Sequence, residues 1–332
     1  MAISFIRICG ALMIFLCHVF GESGSSIGGA LCQVFNVGVV IFFMLTGYLY
    51  STKKPIDSVP KWYWRRMKRI LCPLYVFLAM LMAVYIILGQ KIDIAVWLQS
   101  IIPICGFTQK YISGCGHLWF ITHLMVCYLL VPLLQRHRDN VSVIKIIGGT
   151  AFWSVSAILL AYTVPPIWCT LLNSVANFLL GFYLLPAVLK KEHHVAIPIL
   201  FAMGACGLRV AFKLALDDTP LYNSVLTEVC SAVLAIAIFD LLFKIGTYIK
   251  SRGVAAEEKA INTLANFTYE FYLVHYIFLN GNFKVHIFES YLLNSVAAFI
   301  FAAAAAFAVH FLSELIQRKN KQKTYSAYEQ NN

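Results

Sequence analysis

Apolar runs of about one membrane thickness recur along the whole chain, at residues 2–20, 31–50, 70–89, 117–135, 143–164, 167–189, 195–215, 221–243, 262–282 and 291–312. A helix of about 20 residues crosses the ~30 Å hydrocarbon core of a bilayer. The pattern therefore predicts an all-α, polytopic membrane protein of about ten transmembrane helices. These form one membrane domain over 1–316, followed by a basic and polar tail over 317–332. The stretch IDIAVWLQSIIPI (92–104) is too short to span and is expected to lie along the outer surface. The alanine run 302–306 favours close helix packing.

The connectors set the orientation. Residues 51–69, 135–139, 190–194, 244–252 and 317–323 are rich in Lys and Arg, and each follows an even-numbered run. The intervening connectors, 21–26, 90–116, 164–166, 217–220 and 281–290, are poor in bases or acidic. The positive-inside rule then places both termini and every basic loop in the cytoplasm.

Composition agrees. The chain is 60% hydrophobic and 12% charged, against about 45–50% and about 25% in soluble domains. A soluble domain with one anchor is excluded. The net charge of +11 resides in the connectors, which points to topology and lipid rather than to nucleic acid. No cleavable signal is expected, because cleavage within 21–30 would discard the polar residues of the first run. The ten cysteines show no C-x-x-C spacing, and no metal is expected. Cys105 and Cys115 share one external loop, as a disulfide or as two thiols near the interface.

Polar residues inside the runs are the candidate chemistry. Arg7 and His18 lie in the first run. Eleven residues at ~100° each leave about 20° of offset and a rise of roughly 16 Å, so the two share a face but not a depth. Charges in a bilayer usually face the protein interior or a watery cavity. The plainer alternative is that Arg7 snorkels and His18 caps the outer end. Arg209 and Glu228 fall in the outer half, as a pair or as ordinary interhelical hydrogen bonds. In TYEFYLVH (268–275), Thr268, Tyr272 and His275 share a face, with Glu270 between them in sequence. His117 and His123 flank the start of the fourth run, beside Trp119. The expectation is a polar chamber near the external side, built by His18, His275, Arg209 and Glu228 and lined by Trp119, His117, Tyr272 and Glu270. In WYWRRMKR (62–69), Arg65, Lys68 and Arg69 share a helical face beside Arg66. They serve either topology and anionic lipid or the phosphates of a cytosolic cofactor.

Five stretches, in order, resemble one family. They are Arg7 and His18 separated by ten residues, GVVIFFMLTGYL (38–49, with Thr46 where a serine is usual), RRMKRILCPLY (65–75), GHLWFITHLMVCYLLVPLL (116–134) and TYEFYLVH (268–275). The chain resembles the integral-membrane acyltransferase-three family, bacterial enzymes that O-acylate surface polysaccharides and related acceptors. The resemblance covers residue 4 to about 283 and shows the membrane unit without an added extracellular domain. It implies an acyl-coenzyme A donor, commonly acetyl, used from the cytoplasmic side of the bacterial plasma membrane. The acceptor is an extracytoplasmic hydroxyl. The family's key arginine and histidine map onto Arg7 and His18, and its late histidine maps onto His275. His18 then serves as general base or as a covalent acyl carrier. A transporter or flippase using the same intramembrane charges is the competing class, and the lack of a visible internal repeat counts against it.

Overall fold

The computed structural model describes residues 1–138, parts of 149–163, 165–216, 219 and 221–329; for 166, 224 and 319–329 it describes backbone only. Every regular element among the described residues is helical. Eight helical segments there are long and apolar enough to cross a membrane: Ala2–Gly21, Ser26–Ser51, Val59–Ile87, Gly116–Arg136, Ile167–Lys190, Ala196–Leu216, Thr227–Ser251 and Tyr291–Arg318. The expected fifth run, 143–164, lies largely outside the described residues. The ninth, 262–282, is not one helix.

The chain divides into two compact units: residues Met1–Ile56 with Trp119–Ala265, and residues Asp57–Leu118 with Asn266–Asn332.

The first unit holds α1 (Ala2–Gly21), α2 (Ser26–Phe35), α3 (Val37–Ser51), α7 (Trp119–Arg136), α8 (Pro166–Tyr183), α9 (Leu185–Lys190), α10 (Ala196–Leu216), α11 (Thr227–Ser251) and most of α12 (Ala255–Asn266). Ser25 starts α2 by accepting from the Gly28 amide at 3.0 Å, so this span begins several residues before the apolar run does. Lipid supplies no hydrophobic force between helices, so close packing must hold them together. Glycines permit it. A Cβ on Gly47 would strike the Phe178 carbonyl oxygen, and one on Gly181 would strike that of Met44, so α3 and α8 touch backbone to backbone. A Cβ on Gly38 would come 2.8 Å from the Gly10 carbonyl oxygen, which sets the crossing of α1 and α3. Ile6, Val37, Ile41, Met44, Leu185, Ala235 and Phe239 fill the core between these helices and α11.

The second unit holds α4 (Val59–Ile87), α5 (Ile94–Ile101), α6 (Cys105–Thr108), a 3-10 turn at Gly116–Leu118, α13 (Thr268–Val274), a 3-10 turn at His275–Phe278 and α14 (Tyr291–Glu329). α4 starts well before residue 70. Pro60 suits its first turn, so the basic stretch expected as a connector is part of the same helix. α5 is capped by the Asp93 carboxylate at 3.0 Å from the Ala95 amide. It buries Trp97 against Tyr85, ring centres 5.6 Å apart, and leaves Ile94 and Leu98 exposed. α14 buries Ala298, Ala302, Ala306, Val309 and Ser313, a stripe at three- and four-residue spacing. Of the alanine run, Ala302 and Ala306 belong to this stripe. The helix runs on to Glu329, past the boundary drawn at 316.

The ninth run is broken. α12 ends at Asn266, α13 covers seven residues, and the chain tightens into a 3-10 turn at His275. Tyr269 donates to the Ile70 carbonyl at 2.9 Å, fixing α13 against α4. After the turn, Gly281 (φ +87°) and Gly114 (φ +75°) meet: a Cβ on Gly114 would lie 2.6 Å from the Asn280 oxygen, and one on Gly281 2.5 Å from the Gly114 nitrogen. Ser113 Oγ donates to Asn282 Oδ1 at 3.1 Å across the same junction. These contacts override the apolar continuity that suggested a single helix.

Candidate active site

α1 is unbroken from Ala2 to Gly21, so the Arg7–His18 spacing is realised on one helix. Arg7, Ala11, Ile14 and His18 fall at i, i+4, i+7 and i+11, one stripe. Ala11 and Ile14 are 6% and 2% exposed, whereas Leu12 on the opposite side is 39% exposed. The stripe therefore faces the interior of the first unit. Arg7 and His18, at its two ends, are each half-buried.

Arg209 on α10 is buried. Its Nη1 donates to the Gln33 carbonyl at 2.8 Å and to Ser231 Oγ at 3.1 Å. Gln33 also accepts from Tyr222 OH at 3.4 Å. Glu228, the expected partner in the first turn of α11, lies within electrostatic reach of the Arg209 guanidinium. The backbone carbonyl from α2 is an added partner, which no sequence signal announces.

His123 on α7 is fully buried beside Trp119, ring centres 4.9 Å apart. Ser174 Oγ donates to the Thr170 carbonyl at 2.8 Å. That commits the hydroxyl proton, so His123 Nδ1–H donates to Ser174 Oγ at 3.0 Å. Its Nε2 is buried with no hydrogen bond among the described residues.

The second unit holds a compact histidine–tyrosine cluster. His117 Nε2–H donates to the Leu273 carbonyl at 3.1 Å, and the Tyr272 hydroxyl donates to the His117 carbonyl. His275 Nδ1–H donates to the Tyr272 carbonyl at 2.8 Å. The His117 and His275 rings lie 5.0 Å apart, and Tyr276 packs 5.6 Å from His117. His117, Tyr272 and His275 are all buried, as is Thr268 one turn earlier. The Gly114–Gly281 junction, with the adjoining 3-10 turns, holds His117 against His275.

Glu270 is held in a pair that the sequence reading missed. Its Oε1 accepts from His310 Nδ1 of α14 at 3.0 Å, and His310 packs on the Phe267 ring at 4.4 Å. Glu270 Oε2 is buried without a hydrogen bond among the described residues. Asp240, also passed over, is buried in α11 and accepts from His193 Nε2 at 2.8 Å and Lys244 Nζ at 3.0 Å. One signal was available for both: an ionisable residue inside an apolar run usually has a partner.

Near the start of α4, Arg65 and Arg69 are exposed, and Arg66 and Lys68 are half-buried. Cys105 and Cys115 are buried and not joined by a disulfide. Burial and the neighbouring Cys105 push the Cys115 thiol well above the usual thiol range, and Tyr111 beside them is pushed up to about 12. Of the residues expected to share one chamber, His18, Arg209, Glu228 and Trp119 belong to the first unit, and His117, Glu270, Tyr272 and His275 to the second.

The family model described as an acyltransferase domain matches residues 2–314. No curated protein and no solved structure matches the chain. The match spans nearly the whole chain and takes in both units, the Arg7–His18 stripe and the His117–His275 cluster. The chain belongs to the acyltransferase-three family and is a multi-pass membrane acyltransferase.

Proposed function

We propose that the protein moves an acyl group, acetyl above all, from cytosolic acyl-coenzyme A to a hydroxyl of an extracytoplasmic acceptor, a cell-surface polysaccharide or glycolipid. It acts in the bacterial plasma membrane with both termini in the cytoplasm. The observation that carries this reading is the inward stripe of α1, with Arg7 toward its N-terminal end and His18 toward its C-terminal end. A membrane helix of purely structural purpose has no need of a cation and an imidazole facing inward.

In this reading Arg7 orients the phosphates or pantetheine arm of the donor. The arm, extended, covers a gap of the order of the ~16 Å between Arg7 and His18. His18 takes the acceptor's O–H proton as its oxygen attacks the thioester carbonyl. The tetrahedral intermediate collapses, the C–S bond breaks, and the coenzyme A thiolate recovers the proton from His18. Imidazole suits that exchange because its ordinary pKa lies near neutrality. Arg65, Arg66, Lys68 and Arg69 are assigned to the donor's phosphates, since guanidinium groups offer bidentate contacts. His275 is the second histidine assigned to acyl transfer, and its ring orientation is supported by its bond to the Tyr272 carbonyl.

The test is release of free coenzyme A from acetyl-coenzyme A by purified protein in nanodiscs, with and without a glycan acceptor. His18→Ala and Arg7→Ala are expected to abolish turnover. Wild-type turnover by both folded variants overturns the assignment.

A further inference from the structure

The structure brings together two thiols that no spacing rule pairs. Cys17 on α1 and Cys32 on α2 lie with their sulfurs 3.5 Å apart. Cys17 immediately precedes His18. The turn between the helices is held on several sides. The Glu22 amide donates to the His18 carbonyl at 3.0 Å, Ser23 Oγ donates to the Phe20 carbonyl at 2.7 Å, and Phe20 and Phe35 stack with ring centres 5.5 Å apart. Gly21 leaves room for the Cys32 sulfur, which would lie 3.2 Å from a Cβ at that position. A fixed turn thus presents one thiol to the other.

We propose that Cys17 and Cys32 are a modification site that closes to an intramolecular disulfide on the extracytoplasmic side. The compartment rests on the orientation given under the proposed function. Sulfurs 3.5 Å apart reach the bonded distance of about 2.05 Å by side-chain rotation with a small helix shift. The oxidant is a protein disulfide of the thiol–disulfide exchange class found outside the cytoplasm. Cys32, half-buried, is met before the more buried Cys17. Its thiolate attacks the oxidant's disulfide and forms a mixed disulfide, releasing one oxidant thiolate. The Cys17 thiolate then displaces the second. Two S–H bonds break and one S–S bond forms in the protein, while the oxidant's S–S bond becomes two thiols. The bond staples α1 to α2 one residue from His18 and limits movement of its imidazole.

Full-length protein is extracted from cells directly into denaturant containing an alkylating agent, so that buried thiols are trapped too, then digested without reductant and mapped by mass spectrometry. The expected result is a cross-linked peptide joining Cys17 and Cys32, two hydrogens lighter than the sum of its parts and split by reductant. It persists in Cys105→Ser/Cys115→Ser and disappears in Cys17→Ser. Alkylation of both Cys17 and Cys32 in wild-type protein overturns the proposal, and no variant need fold for that result to be read. Ser26→Cys in a Cys17→Ser/Cys32→Ser background reports orientation separately. Labelling by an impermeant maleimide from outside, together with two alkylated thiols, overturns the disulfide alone. Labelling only from the cytoplasmic side overturns the orientation and the disulfide with it. None of these readouts depends on acyl transfer.

Discussion

Arg7 and His18 stand at the two ends of one stripe of α1, with the buried Ala11 and Ile14 between them. Their relation depends on helical register, so register is testable apart from residue identity. Inserting one alanine between Leu12 and Met13 rotates His18 by ~100° relative to Arg7. The insertion is expected to remove acyl transfer while a full-length, membrane-inserted protein is still made. Activity measured in membranes against expression level checks this.

Gly114 and Gly281 bring His117 to His275, and neither can carry a side chain without cost. Both hold positive φ, and each would drive a Cβ into backbone. Gly114→Ala and Gly281→Ala are each expected to lower stability by about 1–3 kcal/mol. Gly29→Ala, on an open face of α2, is expected to be neutral or to stabilise by up to ~1 kcal/mol through helix propensity. Thermal unfolding in detergent separates the two outcomes.

Removing the Tyr272 hydroxyl deprives a buried carbonyl, that of His117, of its donor. Tyr272→Phe is expected to cost about 1–3 kcal/mol, the usual penalty for a buried polar group left unsatisfied. Unfolding in detergent reads this, and a wild-type midpoint contradicts the bond.

Glu270 and His310 form a pair whose members are worth more together than apart. Removing one partner of a buried hydrogen bond leaves the other unsatisfied at a cost of about 1–3 kcal/mol, whereas replacing both with apolar groups costs much less. His310→Leu is therefore expected to destabilise more than His310→Leu/Glu270→Leu does, and the double-mutant cycle measures the coupling. Additive effects contradict the pair.

Cys115 is expected to behave as an inert thiol. Its thiolate is suppressed by burial and by Cys105, and the thiolate is the reactive form. Maleimide at pH 8 should leave it unlabelled in native protein and label it after denaturation. Tyr111, pushed up to about 12 by burial, favours its neutral form when folded. Its contribution to stability is therefore full below pH ~10, the phenol's ordinary pKa, and is lost as pH rises toward about 12. Tyr111→Phe should flatten that alkaline loss.

The apolar runs announced α1, α3, α7, α10 and α11 because hydropathy and length are properties of the segment itself. The Arg7–His18 face was legible for the same reason: a helix turns through a known angle per residue. The break at Phe267 was not. It depends on partners distant in sequence, Ile70 for Tyr269 and Gly114 for Gly281, and an averaged hydropathy profile sees only continuous apolar sequence. Partner choice was partly hidden. Arg209 reaches the Gln33 carbonyl as well as the neighbourhood of Glu228, and Glu270 found His310 forty residues away. Cys105 and Cys115 share a loop and left a disulfide or two thiols open, whereas helix packing, invisible in the spacing, brought Cys17 to Cys32. Contacts set by a backbone carbonyl or by the fit of two helices leave no spacing to read.

The central claim is that the α1 stripe performs acyl transfer, and turnover of acetyl-coenzyme A by His18→Ala tests it most directly. A positioned general base contributes about 10²–10⁴-fold. Purified His18→Ala, eluting and unfolding like the wild type, is therefore expected to release coenzyme A at least ~100-fold more slowly. Release at the wild-type rate contradicts the account.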